Sequence, residues 1–536
     1  MVPRLRGAAG RRLRLLALLL SVISATLVVG TSSAGQAASA AFFGRNASPG
    51  DSFRPKNAQA AVSAARTSVP CASIGVTVSG VECGRLTVPV DWFDLSNPGT
   101  GSIAYAIHRA SVKRVGTLTY NPGGPGASGL GTLPIFLGQN PLRPWQGLPP
   151  AILKYFDIVA WDARGVGAST PALRGCPKLA LSYGDLPATG PVDWTAATQA
   201  YSDGLEAGLS ACYAANSDIA GLLGTAYVVR DLEALREALG VSQWTYWGMS
   251  YGTQIGMAYA QAYPTRLRAL LLDGSVPPNQ TLTQRAAMQV WGRLSTVDVF
   301  SGVYGKRFAS QVQRVIRALD RRTFTASDMT FDRWTLLAPS IGLLNAQFNY
   351  PIVRKQFRFA YQALFHPNVV PQALPRLPRQ EEPDFSASYL TFFVNCSDTA
   401  DRPTVETVAR LAQSAADAGL TVAGRWVIER GIVCSGLPAG FGRPLRPIVN
   451  PLRLPHGALV LNSIADPNTQ WLGAQQASTV IEGARLLTYM GTQHVTYKQV
   501  PAPCVDTVVT RYFTRLSLPA RNVQCGFVPG RDIVIG

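Results

Sequence analysis

Hydrophobic and polar positions along the chain fall into short apolar runs separated by stretches of helical period. Val115 to Tyr120 and Tyr155 to Trp161 ("YFDIVAW") are β-rich runs that end in glycine-rich turns. In Thr225 to Leu239, Val228, Leu232, Leu235 and Leu239 share one face, and Gly240 follows as a stop, which predicts a helix. Val241 to Trp247 predicts a strand, Gln254 to Tyr263 a helix closed by Pro264, and Leu267 to Leu272 another strand. Ala458 to Asn462 and Arg485 to Met490 predict two late strands. Strands alternating with helices imply a mostly parallel sheet with helices on both faces, an α/β class.

The rhythm breaks between residues 276 and 455. "RFASQVQRVIRALDRR" and "RKQFRFAYQALF" have helical period and much arginine, and "PNVVPQALPRLPRQEEPDF" is a proline-rich connector. An inserted, mainly helical cap fits this pattern. The expected organisation is 1–40 signal peptide, 41–67 flexible leader, 68–275 first core part, 276–455 cap and 456–536 final core part. The signal peptide follows from Arg4, Arg6, Arg11, Arg12 and Arg14, the apolar run Leu15 to Gly30, and Ala38-Ser39-Ala40 as a cleavage site.

Composition narrows the class. With 536 residues, 47% hydrophobic and 15% charged, the chain can bury a large core and is far from disordered composition. Its formal charge of +18 comes without an aromatic-basic signature or a long basic run, so nucleic acid is not an expected partner. No stable membrane association is expected after signal cleavage. The eight cysteines lack C-x-x-C spacing and fall as neighbours, Cys71/Cys83, Cys176/Cys212, Cys396/Cys434 and Cys504/Cys525. Neighbour pairing in an oxidising, extracellular compartment is the expectation; spacing alone does not fix connectivity.

The chemistry lies in Gly248-Met249-Ser250-Tyr251-Gly252, set between a predicted strand and a predicted helix. That is the context of a nucleophile elbow, where a side chain at either glycine would collide with its neighbours. Serine needs a base to become a nucleophile. On such an elbow the acid and then the histidine follow in the chain. Of four histidines, His108 precedes the serine, His366 lies in the insertion and His456 precedes a strand. His494, in "GTQHVTY" past the last predicted strand, is the expected base. Asp466, in "LNSIADPNTQW", is the expected acid, with Asp273 as rival. The oxyanion donors are expected to be the N–H groups of Tyr251 and of Gly124, in "NPGGPG". No metal or cofactor is called for.

"NPGGPGASG", "DARGVGAST", "WGMSYGT", "YPTRLRALLLDG", "ADPNT" and "GTQH" occur in an order that resembles the proline-iminopeptidase-like α/β-hydrolases. Together with "CVDTVVTRYFTRLSLPARNVQC", the chain resembles the secreted tripeptidyl aminopeptidases within them, over Cys71 to Cys525. The resemblance implies an α/β-hydrolase fold with an inserted cap and a Ser250–His494–Asp466 triad. It further implies a serine exopeptidase that releases short peptides, often tripeptides, from a free N-terminus. A secreted carboxylesterase with the same triad is the alternative. Asp398, in "NCSDTA", resembles a Cys-x-Asp element and is a candidate partner for the substrate ammonium, ahead of Glu381 and Glu382.

Overall fold

The computed structural model describes residues 66–326, 328–366, 368 and 385–526. The signal-peptide reading, Glu381 and Glu382 therefore lie outside the described residues, as does the leader except for its last two positions. Twelve strands are described: β1 (Arg66–Ser68), β2 (Val81–Pro89), β3 (Thr100–His108), β4 (Gly116–Asn121), β5 (Phe156–Trp161), β6 (Trp244–Met249), β7 (Leu267–Asp273), β8 (Phe324–Ala326), β9 (Met329–Phe331), β10 (Leu459–Ser463), β11 (Arg485–Tyr489) and β12 (Val523–Cys525). Ten form one sheet in the order β1-β2-β3-β5-β4-β6-β7-β10-β11-β12. β1, β2, β3 and β5 pair antiparallel; the remaining pairs of this sheet are parallel. β8 and β9 make a separate hairpin.

The main helices flanking or interrupting this sheet are α1 (Gly129–Phe136), α2 (Trp194–Ala215), α3 (Thr225–Ala238), α4 (Gly252–Ala262), α5 (Leu282–Val303), α6 (Lys306–Leu319), α7 (Tyr350–Phe365), α8 (Phe385–Asp398), α9 (Val405–Asp417), α10 (Ala423–Gly431), α11 (Trp471–Thr479) and α12 (Pro503–Arg515). The apolar runs became strands because helices cover both faces: every residue of β5, β6 and β10 is buried. One hydrophobic cluster lies against the sheet, around Leu118, Phe136, Trp247, Leu461 and Phe513. A second is built by the helices between β7 and β10, and it also takes in α2, which the sequence placed with the first core part.

The parallel strands stop in register. Asn121 pairs with Gly248, Met249 with Asp273, and Asp273 with Leu461. The segments after β4, β6, β7, β10 and β11 therefore leave one edge together, at the carboxyl ends where open α/β sheets place ligands. All four disulfides join sequence neighbours: Cys71–Cys83, Cys176–Cys212, Cys396–Cys434 and Cys504–Cys525.

Candidate active site

Ser250 sits between β6 and α4 with φ 53°, a left-handed conformation that costs a serine about 1–3 kcal/mol. Its N–H donates to the Asp273 carbonyl at 2.9 Å, which anchors the turn to β7. The flanking glycines are steric requirements. A Cβ at Gly248 would lie 2.3 Å from the Gly252 carbonyl oxygen, and one at Gly252 would lie 2.4 Å from that of Asn121. Gly123, with φ 97°, has no room either: its Cβ would meet the Met249 carbonyl at 2.5 Å and the Tyr251 nitrogen at 3.1 Å. The glycine-rich loop after β4 is thus laid directly on the serine turn.

Two N–H groups on this surface are unspent. Gly123 N–H donates to Asn121 Oδ1 at 3.0 Å. The N–H groups of Gly124 and Tyr251 have no acceptor among the described residues.

Asp466, fully buried, follows β10. It accepts from the N–H groups of Asn468 (2.8 Å) and Thr469 (3.0 Å) and from Thr469 Oγ1 (2.9 Å). Both its oxygens lie 3.0 Å from His494 Nδ1. The ring is therefore held with Nδ1–H toward the acid and with Nε2 free of any partner among the described residues, while its side chain stays 18% exposed. Of the three expected catalytic side chains the structure joins these two directly. Among the described residues no hydrogen bond joins the Ser250 hydroxyl to the His494 ring. The other three histidines stand elsewhere: His108 ends β3, His366 follows α7 and His456 precedes β10.

Asp273 connects the serine and histidine segments. Its carbonyl holds Ser250, and its buried carboxylate accepts the N–H groups of Thr496 (2.8 Å) and Tyr497 (2.9 Å), just past His494. Burial pushes that carboxyl up to about 7 despite these donors. From the sequence Asp273 reads only as a turn residue or a rival acid; nothing local announces that it accepts from residues more than 200 positions away.

Asp398 closes α8 and lies behind the elbow. One oxygen accepts Thr225 N–H (2.8 Å); the other accepts Thr225 Oγ1 (2.6 Å), Gln254 Nε2 (2.7 Å) and Tyr251 Oη (3.2 Å). Burial raises the carboxyl to about 6 against these bonds and nearby Arg285. The carboxylate expected to meet a substrate ammonium is occupied by four protein donors, so the geometry gives it the work of fixing Tyr251 and the start of α3. Thr225 and Gln254, which complete this knot, carried no signal in the sequence. α8 also reaches the glycine-rich loop, where Thr391 Oγ1 donates to the Pro125 carbonyl at 2.7 Å.

"DARGVGAST" serves as a brace. Asp162 accepts Ser128 Oγ (2.6 Å) and the N–H groups of Leu130 and Ala168 (both 3.1 Å), fixing the start of α1 behind the glycine-rich loop. Arg164 forms a fully buried, two-pronged pair with Asp231 on α3, at 2.6 and 2.7 Å.

Residues 117–350 match a family described as "alpha/beta hydrolase fold", and residues 420–525 match one described as "TAP-like protein". The chain has the α/β-hydrolase fold, and its C-terminal part is similar to TAP-like proteins. Among its relatives, the serine protease Hip1 of Mycobacterium tuberculosis is 37% identical over 215 residues, covering 39% of each chain. The tripeptidyl aminopeptidase of Streptomyces lividans is 30% identical over 279 residues, covering 48% of each. Carboxylesterase B of M. tuberculosis is 29% identical over 224 residues, again covering 39% of each. Each match spans less than half the length of the relative. No described helix of the chain is long and apolar enough to cross a membrane.

Proposed function

We propose that this hydrolase is a secreted serine exopeptidase that releases short peptides, chiefly tripeptides, from free N-termini. The observation that carries the reading is the His494–Asp466 pair at 3.0 Å, set at the sheet edge from which the Ser250 elbow also rises. In this mechanism Ser250 Oγ attacks the scissile carbonyl while His494 Nε2 takes its proton. Asp466 holds the ring and stabilises its positive charge. The oxyanion forms against the N–H groups of Gly124 and Tyr251, donors that have no other acceptor among the described residues. His494 then protonates the leaving amine, and water repeats the sequence on the acyl-enzyme. The similarity to a tripeptidyl aminopeptidase and a serine protease supports peptides as substrates. Four disulfides support an oxidising compartment, and with it export.

The similarity to a carboxylesterase keeps one second reading, an ester hydrolase with the same triad. Turnover of a free-amine tripeptide anilide, its N-acetylated form and a short acyl ester separates the two. The exopeptidase reading expects the first to be cleaved and the second spared. Cleavage of the ester alone overturns it.

A further inference from the structure

Arg285, Gln289, Arg293 and Thr296 recur on α5 at helical spacing and form one polar face. That face looks onto the catalytic loops. Thr296 Oγ1 donates to the Ala465 carbonyl at 2.9 Å, beside Asp466. Arg293 Nη2 donates to Asn468 Oδ1 at 3.1 Å, and Asn468 N–H donates to Asp466. Eight residues earlier, about 12 Å along the axis, Arg285 donates to Asn395 Oδ1 at 2.5 Å and lies within the fields of Asp398 and Tyr251.

α10 packs alongside α5 and brings a third guanidinium, Arg430, whose charge bears on both. Arg430 makes no hydrogen bond or ion pair among the described residues. Neither Arg285 nor Arg293 has a carboxylate within salt-bridge reach among them. The nearby acids are engaged: Asp398 by its four donors, Glu429 by the Tyr183 hydroxyl, and Asp466 by His494. Two buried polar atoms on the same face lack partners among the described residues, Arg293 Nε in a residue 3% exposed and Gln289 Oε1 in one 1% exposed. Burial, and then the charge of Arg430, pull Arg293 down to about 9 and Arg285 down to about 10. Arg293 also lies 4.2 Å from the centroid of the Trp426 ring, but buried guanidiniums without a counter-charge remain costly unless an anion joins them.

Resting on the peptidase reading, we propose that Arg285, Arg293 and Arg430 form a carboxylate-binding subsite, and that the preferred peptides carry an acidic side chain close to the scissile bond. A planar carboxylate suits the forked donors of arginine.

The test uses peptide pairs that differ only as Glu or Gln at each of the three positions before the scissile bond and the first after it. Binding is measured by calorimetry to Ser250→Ala protein, and kcat/KM with the wild type. At one position Glu is expected to exceed Gln by about tenfold or more in both readouts, more so at low salt. Arg430→Met, which removes no protein hydrogen bond, is expected to bring that ratio close to one. Equal binding of Glu and Gln at every position overturns the subsite whatever the wild type cleaves. A preference retained in Arg430→Met removes Arg430 from it. A binding preference without cleavage of any peptide supports the subsite and overturns the peptidase reading instead.

Discussion

At Asp273 a single residue serves two loops, its carbonyl holding Ser250 and its carboxylate holding the backbone after His494. Folding raises this carboxyl from an ordinary value of 3.8 to about 7, so the folded state keeps a proton that the unfolded chain gives up between those limits. The stability this contributes is complete below about pH 4 and is lost as pH rises through about 7. Asp273→Asn takes that titration away and leaves one of two N–H donors facing an amide. The variant is expected to be less stable than wild type at pH 5 by about 1–3 kcal/mol, with the gap narrowing toward pH 8, as read in thermal melts. Ser250→Ala is expected to lower kcat by at least about a thousandfold without changing the melting temperature by more than a few degrees; retained turnover would exclude Ser250 as nucleophile. The strand-turn-helix setting of Ser250 and the pairing of Asp466 with His494 were legible in the sequence, because that grammar surrounds the serine and the other two follow it in order. Asp273, Thr225 and Gln254 were not, since their partners are set by tertiary approach alone.

Among the elements, the strands buried on both faces were the legible ones, because helices on each side demand unbroken apolar runs. β4 to β7, β10 and β11 all appear within a few residues of their expected bounds. β2 went unread because it pairs antiparallel near an edge and exposes part of one face, which dilutes its pattern; β3 also went unread, although Ile103 to Ile107 are buried without a break. The brace between Arg164 and Asp231 ties the turn after β5 to α3. Asp231→Ala strands a guanidinium in the core and is expected to cost about 3–5 kcal/mol in urea unfolding. Gly123→Ala tests the contact between the glycine-rich loop and the elbow. Its methyl would intrude on the Met249 carbonyl and the Tyr251 nitrogen, so kcat is expected to fall about a hundredfold or more in protein that still melts cooperatively; near-normal kcat would show that the loop does not shape the oxyanion site.

For the molecule as a whole, two hydrophobic clusters are stitched together at the reacting edge of the sheet. The helical insertion was legible from its change of rhythm, but the membership of α2 in its cluster was not, because an apolar stripe on a helix does not name the surface it will meet. Cys396–Cys434 staples α8, which ends in Asp398, to the segment after α10 across 38 residues. Replacing both cysteines by Ala is expected to cost about 2–5 kcal/mol in denaturant melts. It should also reduce kcat by loosening the hold on Tyr251; unchanged kcat would disconnect the staple from the site. The same helix grips both halves of the proposed anion cradle, the glycine-rich loop through Thr391 and the elbow through Asp398. On the proposed function, a small molecule wedged behind α8 would therefore disarm the serine from outside the cleft, and peptide added in excess would not rescue turnover from such an inhibitor.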